Sequence, residues 1–385
     1  MRQINNVRFP QPFNHLSEEV LWSISLDKTN SLRSISQMEI GASFDGENWN
    51  GDWLSPMGID LQINGGLGIT FNDLHVEQLP KIYGLLDLLW SDGVDAICPT
   101  IITSSILSLR NSLKVLRLAR KNNNEKSCKL LGAHLEGPFL ASKYKGAHDL
   151  QYLSEPSFFE LQKRIKGFEH DISIVTLAPE LKGASELIQQ LRQSGIIISL
   201  GHSSASLEES NSAFQEGVSM ITHAFNAMNG IHHRAPGPIG EAISNGNISV
   251  GLIADGVHVH PHIAVMLQKL LPDQLFLVSD ALPPYGLDQA EYWWKNKWVF
   301  INKGVCRLED GRLAGTTLPL LEGSKLLAQW SRNASASIWA ATVSPRLALN
   351  QGKTIQEFLI GKSLNNLLRW RCQEGASDLF WTRAE

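Results

Sequence analysis

Three side chains that can bind a metal ion each stand at the end of a short apolar segment. They are Glu136, His202 and His223. Imidazole nitrogen and carboxylate oxygen are common zinc ligands, and a catalytic zinc site uses three of them and leaves one position open. A single histidine after an apolar strand is more often a hydrogen-bonded structural residue. The three together favour a hydrolytic His2Glu metal centre.

A fourth candidate, Asp280, follows the apolar segment 274–279. A carboxylate at the end of so apolar a strand must be paired, bound to metal or catalytic, because burying it alone is costly. Beside activated water it can accept a proton and later return it to a leaving group. The alternative is that Asp280 caps the turn that follows it. The sequence alone leaves both roles open.

Five further polar residues lie in the loops after these segments. His258 is predicted to contact a substrate, whereas His260 and His262 are interpreted as surface residues. His148 follows Glu136 closely enough to reach the same site. Arg234 lies in the loop after the sixth segment; a loop arginine is usually solvated, but its guanidinium can bind phosphate through two parallel hydrogen bonds.

The elements that must position these residues alternate regularly. Fully apolar strands separated by amphipathic helices indicate a parallel sheet covered on both faces. Eight of them predict an α/β fold, a (β/α)8 TIM barrel, whose active site lies at the carboxyl ends of the strands. The apolar segments are 57–63, 95–101, 130–135, 172–178, 196–200, 218–222, 248–253 and 274–279, and the helical segments include 79–91, 106–121, 158–166, 184–194 and 207–216.

Both ends of the chain show a different pattern. Residues 1–55 contain short strand-like segments, and residues 296–385 add further strands, a turn at 302–304 and helices at 320–332 and 344–349. We therefore predict a small β-sandwich domain built from 1–55 and 296–385, and a barrel domain over 56–295.

Composition narrows the classes of function. The chain has 385 residues, 43% of them hydrophobic, and a formal net charge of −4. This is the composition of a globular protein, and it lacks the basic field that would hold nucleic acid or an anionic membrane surface. The amino terminus has no signal-like apolar region, no apolar segment is long enough to span a membrane, and the four cysteines are far apart. A cytoplasmic protein with reduced cysteines is expected.

The motifs also resemble those of a known family, the N-acetylglucosamine-6-phosphate deacetylases of the amidohydrolase superfamily. The resemblance extends from about residue 56 to 317, and its motifs occur in the family's order. They are His134–Leu140 with Lys145–His148, Leu177–Glu180, Gly201–Ser203, Thr222–Met228, His233-Arg234 with Pro236-Gly237, Ala254–His258, Val278–Ala281 and Leu313–Gly315.

The resemblance implies a role for each candidate. Glu136, His202 and His223 would bind one divalent metal, expected to be zinc, and Asp280 would act first as general base and then as general acid. Arg234 would bind the 6-phosphate across a dimer interface, which predicts a homodimer. The residues implied in holding the sugar are Gln62, Asn64, Ala147, His148, Asn226, Ala227, His258, Leu313, Ala314 and Gly315.

The implied activity is hydrolysis of the acetamide of N-acetylglucosamine 6-phosphate to glucosamine 6-phosphate and acetate. Many amidohydrolases carry His-x-His where this chain has Gln62-Ile63-Asn64, and carboxamides are much poorer metal ligands than imidazole, so one metal is expected rather than two.

Ala235 replaces the usual acidic neighbour of the phosphate arginine, and the tryptophan-rich segment 292–298 lies where it can alter substrate choice. Two alternatives stay open: an amidohydrolase that acts on another N-acyl sugar or a cyclic amide, and a catalytically inactive barrel.

Overall fold

The structure is a computed structural model that describes residues 2–12, 20–39, 45–121, 124–294, 297–372 and 378–385. At its centre is a parallel barrel, as predicted. Eight parallel strands follow one another in chain order around the barrel, and a short strand, β10 (Lys129–Leu130), extends the pairing of β9. The eight strands are β6 (Gly58–Ile63), β9 (Val94–Ile102), β11 (Ala133–Glu136), β12 (Ile172–Leu177), β13 (Ile197–Leu200), β14 (Met220–Ile221), β15 (Ser249–Leu252) and β16 (Leu275–Leu277).

Backbone hydrogen bonds connect the first and last strands of the barrel. The amide of Asp280 donates to the carbonyl of Gln62 at 2.9 Å, and the amide of Asn64 donates to the carbonyl of Ala281 at 2.8 Å. These bonds place the residues that follow β16 directly beside those that end β6. The two ends of the barrel sequence therefore meet at the candidate site.

Helices surround the barrel, and several begin at side-chain caps that can be read from the sequence. In α5, Ser206 and Glu209 form a reciprocal capping box, which satisfies amides that have no partner within the helix. The helices are α1 (Leu79–Ser91), α2 (Ile106–Ala119), α3 (Phe158–Ile165), α4 (Ala184–Gln193), α5 (Leu207–Glu216), α6 (Gly237–Asn245), α7 (Pro261–Leu270), α8 (Leu320–Ser331), α9 (Ala334–Thr342), α10 (Ser344–Ala348) and α11 (Ile355–Leu359).

The remaining strands form smaller sheets. One sheet has the order β3-β2-β1-β4, a second has β22-β21-β5, a third has β17-β18-β19-β20, and β7 pairs with β8. Their bounds are β1 (Arg2–Val7), β2 (Trp22–Leu26), β3 (Leu32–Gln37), β4 (Glu47–Asn48), β5 (Trp53–Pro56), β7 (Gly65–Gly66), β8 (Ile69–Thr70), β17 (Glu291–Trp294), β18 (Lys297–Asn302), β19 (Val305–Leu308), β20 (Leu313–Thr316), β21 (Leu367–Cys372) and β22 (Leu379–Arg383).

The first two small sheets share one apolar core, as expected for a β domain built from both chain ends. Ile4 and Ile24 of the first sheet belong to the same buried cluster as Leu54 and Leu367 of the second. Helices after residue 296 also contact the barrel: α8 and α9 both pack against β6 and β16. The exact division into 1–55 with 296–385 and 56–295 stays a prediction.

The helices and the cysteines can be compared with what the sequence predicts. Across the described ranges, no helix combines the length and the apolar character needed to cross a lipid bilayer. Cys98, Cys128 and Cys306 are buried and Cys372 is half-buried, and all four are free thiols.

A buried carboxylate in β6 carries a stability prediction. Asp60 is 1% exposed, and its Oδ1 atom accepts the amides of Gln62 and Ser279, each at 3.2 Å. Its Oδ2 atom has no hydrogen-bond partner among the described residues. Burial raises the pKa of Asp60 to about 7, although the Ser279 and Gln62 hydrogen bonds oppose the rise.

We predict that Asp60→Asn stabilises the protein more at pH 8 than at pH 5. The unfolded chain loses the Asp60 proton near pH 4 and the folded chain near pH 7, so ionisation costs stability as the pH rises between these values. The free energy of unfolding of Asp60→Asn minus that of the wild type should therefore be about 2 kcal/mol larger at pH 8 than at pH 5. Urea unfolding of both proteins at the two pH values measures this, and an equal difference at both would contradict it.

Candidate active site

Three of the four chemically important residues share an unusual backbone conformation. His202 and His223 come two residues after the ends of β13 and β14, and Asp280 comes three residues after the end of β16, with φ of +50°, +25° and +47°. Residues other than glycine rarely adopt positive φ, and such residues concentrate at functional sites because the surrounding structure must hold them there. The turns bring all three side chains to the carboxyl-end opening of the barrel.

The three predicted ligands meet at one point. Glu136 Oε1 lies 3.1 Å from His202 Nε2 and 3.0 Å from His223 Nε2, and the two Nε2 atoms are 3.2 Å apart. All three residues are buried. Ligands of a tetrahedral zinc ion with bonds of about 2.1 Å would be separated by about 3.4 Å. The observed triangle is close to this size.

The hydrogen bond on the far side of His202 shows why this triangle suits a cation. His202 Nδ1 lies 2.8 Å from the carbonyl oxygen of Tyr144, which can only accept, so Nδ1 carries the proton. In a neutral His202 the Nε2 lone pair therefore faces the Glu136 carboxylate. Two acceptors 3.1 Å apart repel each other unless a cation lies between them, and this backbone contact is the usual support of a metal-binding histidine.

His148 lies beside the same carboxylate and offers a second possible ligand set. Ligand atoms of Glu136, His148 and His202 all lie within 4.8 Å of one another. The distance from His148 Nε2 to Glu136 Oε2 is 3.8 Å, and His148 Nδ1 lies 2.9 Å from Thr103 Oγ1. The set with His223 has the shorter distances and matches the sequence prediction.

Asp280 lies next to the triangle and is held by carboxamides. Asn64 Nδ2 donates to Asp280 Oδ1 at 2.7 Å, and Gln62 Nε2 lies 3.1 Å from Glu136 Oε1 and 3.4 Å from Asp280 Oδ1. These amides donate toward the carboxylates, which suits a site for one cation rather than two. Burial and the charge of Glu136 raise the pKa of Asp280 to about 7, against the opposing effects of His223, His258 and Asn64.

A cavity of about 400 Å³ opens over these residues, a size suited to a small molecule. Thirteen of the fifteen predicted site residues line it, and the two that do not are Gln62 and Arg234. The Nδ1 atom of His258 bonds to Asp255 Oδ2 at 2.6 Å, so Nε2 is the ring nitrogen that remains for a ligand in the cavity. The thirteen are Asn64, Glu136, Ala147, His148, His202, His223, Asn226, Ala227, His258, Asp280, Leu313, Ala314 and Gly315.

The two exceptions have structural reasons. Gln62 points at the carboxylates of Glu136 and Asp280 instead of the open space. Arg234 is exposed in its loop, where its guanidinium bonds to His233 Nε2 at 2.8 Å. Within one chain, therefore, Arg234 does not contribute to the cavity.

The strand β20 approaches Asp280 closely, and its glycine makes this possible. Gly315 has φ of +128°, and a Cβ atom there would lie 2.6 Å from the carbonyl oxygen of Asp280. Only glycine avoids both the strained backbone and this contact. The segment Leu313–Thr316 can therefore form the upper side of the cavity.

A line of buried hydrogen bonds lies under the ligand residues. His134 Nδ1 donates to the carbonyl of Leu61 at 3.0 Å, which leaves Nε2 to accept from Thr176 at 2.7 Å. Burial lowers the pKa of His134 to about 4, so the ring is neutral. The direction then follows along the line: Thr222 donates to Thr176 at 2.7 Å, and Ser199 donates to Thr222 at 2.6 Å. These bonds connect the strands that carry the three ligands.

We predict that the hydroxyl of Thr222, more than its shape, supports metal binding. Thr222→Val keeps the shape and removes the hydroxyl. Because Thr222 bonds to Thr176 and Ser199 and not to a ligand itself, zinc affinity should fall by about 10-fold, the lower end of the effect of losing a hydrogen bond to a metal ligand. Thr222→Ser keeps the hydroxyl and should bind nearly as the wild type does. Competition with a chromogenic chelator measures both. The reverse order of affinities would show that packing, not hydrogen bonding, matters here.

Several residues of the site were not predicted from the sequence. Lys143, Lys145 and Arg312 add positive charge at the cavity opening, and Tyr144 orients His202 through its backbone. Lys145 is the first residue of the motif Lys145–His148, and Arg312 directly precedes Leu313–Gly315, so their positions in and beside these motifs were an available signal. Nothing in the sequence indicates the backbone contact of Tyr144.

Comparisons with known proteins identify similar chains. No family model matches the chain. An N-acetylglucosamine-6-phosphate deacetylase of Vibrio furnissii is 32% identical over 310 residues, 80% of this chain and 77% of that protein. An N-acetylgalactosamine-6-phosphate deacetylase of Escherichia coli O157:H7 is 33% identical over 69% of each chain. The crystal structure of the N-acetylglucosamine-6-phosphate deacetylase from Pasteurella multocida aligns over 99% of both chains, with a TM-score of 0.79 and 26% sequence identity.

Proposed function

This chain belongs to the N-acetylglucosamine-6-phosphate deacetylase family, and we propose from its site that it hydrolyses the acetamide of N-acetylglucosamine 6-phosphate to glucosamine 6-phosphate and acetate. The observation that carries the proposal is the acceptor triangle of Glu136, His202 and His223 beside Asp280. An amidohydrolase needs both a cation site and a proton carrier next to it.

The residues of the triangle would hold one divalent cation, which supplies Lewis acidity by polarising the amide carbonyl and making water more acidic. Zinc suits two imidazoles and a carboxylate. Asp280 accepts the proton of the attacking water and then donates it to the departing amine nitrogen. Asn64 fixes the orientation of the Asp280 carboxylate, and His148 lies where it can donate to the carbonyl oxygen as negative charge develops.

The matching experiment measures acetate released by the zinc-loaded protein. We expect turnover of N-acetylglucosamine 6-phosphate and little activity on the unphosphorylated sugar. The catalytically inactive alternative predicts no acetate from either sugar even when one equivalent of zinc is bound, and that outcome would overturn the proposal.

A second candidate substrate is N-acetylgalactosamine 6-phosphate. The relative from Escherichia coli O157:H7, 33% identical to this chain, is named for that substrate. The two sugars differ only in the configuration at C4, so the chemistry at the acetamide is the same. The ratio of kcat/KM for the two phosphates, measured in the same assay, decides between them, and we expect the gluco epimer to be preferred.

We further propose that the protein is a homodimer in which Arg234 binds the 6-phosphate bound to its partner. Arg234 is exposed and lies outside the cavity of its own chain, whereas the cavity of one chain already contains the groups needed at the acetamide. The guanidinium of an exposed loop can bind a phosphate that lies at the cavity opening of a second copy of the chain. The predicted domain division and cytoplasmic location also stay proposals.

Arg234→Ala should raise KM for the phosphorylated substrate about 10- to 100-fold, the cost of losing a charged hydrogen bond, and should leave KM for an unphosphorylated amide nearly unchanged. Mixed dimers test the partner's role. A dimer of Arg234→Ala with Asp280→Asn has one site with both an intact Asp280 and an intact partner arginine, so activity should return. Mixing Arg234→Ala with the double variant Arg234→Ala/Asp280→Asn provides the control, and equal activity in the two mixtures would contradict the proposal.

A further inference from the structure

We propose that Trp294 sets the size of the N-acyl group that this site accepts, with acetyl as the largest acyl group hydrolysed efficiently. The inference rests on the proposed function and adds a residue that determines specificity. It uses the tryptophan-rich hairpin of β17 and β18, which the catalytic proposal leaves without a role.

Trp294 belongs to an apolar wall on one side of the cavity. Its side chain packs in one buried cluster with Ile102 and Leu282, and Ala147 and Ala314 pack against that cluster. All five residues line the cavity. We call this set the acyl wall.

The acyl wall stands next to the residues that surround the scissile amide. Ile102 pairs directly with Glu136 in the register of β9 and β11. Leu282 follows Asp280 by two residues, and Ala147 directly precedes His148. An amide placed between the metal ligands and Asp280 is therefore within reach of this apolar surface.

The polar lining lies on another part of the opening. Asn226 follows β14 and His258 follows β15, whereas two residues of the acyl wall, Ile102 and Leu282, come from the end of β9 and from the segment after β16, the strands on either side of β6. One side thus suits the hydroxyl groups of a sugar, and the other suits hydrocarbon.

The geometry of a secondary amide matches this division. In the trans form, the alkyl carbon attached to the carbonyl and the sugar C2 carbon lie on opposite sides of the C–N bond. When the sugar contacts the polar side, the acyl group must point the other way, toward the acyl wall. Trp294 is 6% exposed and is the largest side chain of that wall. Its indole fills space that a longer acyl chain would need.

The hairpin itself provides matched controls. Trp293 and Trp298 are 52% and 39% exposed, and they form a cross-strand pair with ring centroids 5.2 Å apart. They share the hairpin and the residue type with Trp294, but neither lines the cavity. Replacing Trp293 tests any general effect of removing an indole from these strands.

The experiment compares the N-formyl, N-acetyl, N-propionyl and N-butyryl derivatives of glucosamine 6-phosphate in zinc-loaded protein. The readout is kcat/KM for release of each carboxylic acid. The wild type should lose activity sharply beyond acetyl. Trp294→Ala should raise the butyryl-to-formyl ratio of kcat/KM by at least about tenfold, since each methylene that a pocket admits or rejects is worth about 10- to 200-fold. Trp294→Phe should fall between the two, and it decides the question if the alanine variant does not fold.

Trp293→Ala should keep the wild-type profile of acyl lengths. The inference is overturned if the Trp294 variants lower all four values by one common factor, or if Trp293→Ala shifts the ratio equally. A wild type that binds zinc but hydrolyses none of the four would overturn the proposed function and this inference together. A wild type that hydrolyses the acetyl derivative, with ratios unchanged in both Trp294 variants, would overturn only the inference.

Discussion

Asp280→Asn should lower kcat for acetate release by about 10²- to 10⁴-fold while the protein still binds one equivalent of zinc. Asparagine keeps the shape and can still accept the hydrogen bond from Asn64, but it can neither take a proton from water nor return one to the amine. General acid–base transfer contributes a factor of this size. Steady-state assays with metal analysis of the same sample measure both quantities.

The pH profile adds a second readout of the Asp280 role. Burial and Glu136 raise the pKa of Asp280 to about 7 in the chain alone, and a bound cation would lower it by favouring the carboxylate. Because a general base must be unprotonated, kcat/KM of the wild type should fall as the pH drops below that pKa, and this limb should disappear in Asp280→Asn.

Asp60→Asn is the matched control for Asp280→Asn. Asp60 is also a buried carboxylate with a pKa raised to about 7, but it does not line the cavity, and asparagine keeps the oxygen that accepts its hydrogen bonds. We expect its kcat to stay within a few-fold of the wild type. An Asp280→Asn variant that turns over at a comparable rate would contradict the assignment of Asp280.

His223→Ala and His148→Ala should fail in different ways. His223→Ala removes one corner of the triangle, so the variant should retain only a small fraction of an equivalent of zinc and lose activity with it. His148→Ala should keep its zinc and lose about 10²- to 10³-fold in kcat, the usual cost of removing a donor to the developing oxyanion. Metal content after dialysis, together with kcat at saturating zinc, separates the two. The opposite pattern would assign the cation to Glu136, His148 and His202, which also lie within 4.8 Å of one another.

Much of the fold could be predicted because its elements have strong local signals. The helices at 79–91 and 207–216 begin and end at the predicted residues, since each combines one apolar face with a recognisable start. By contrast, α9 (Ala334–Thr342) was missed because it is buried on every side. Without a polar face it shows no helical period in the sequence. The segment predicted as one strand over 130–135 is two short strands, β10 and β11.

The residues of the candidate site could be predicted from the sequence, but some of the contacts that hold them could not. Glu136 and Asp280 are 144 positions apart, and only the barrel closure places both beside Gln62. That they belong to one site was predicted from the polar residues that follow apolar strands, because a barrel brings the ends of its strands to one opening. The position of the proton on His202 depends on the backbone carbonyl of Tyr144. Every residue has such a carbonyl, so the contact cannot be predicted from the residue type. The acyl wall likewise depends on how the β17–β18 hairpin folds over the site.

The most direct test of the metal site is anomalous scattering from crystals of the zinc-loaded protein, measured on both sides of the zinc edge. The account predicts one peak per chain, about 2.0–2.2 Å from Glu136 Oε1, His202 Nε2 and His223 Nε2, with the Asp280 carboxylate facing the open coordination position. A peak bound elsewhere, or no peak at this triangle in protein that releases acetate, would contradict it.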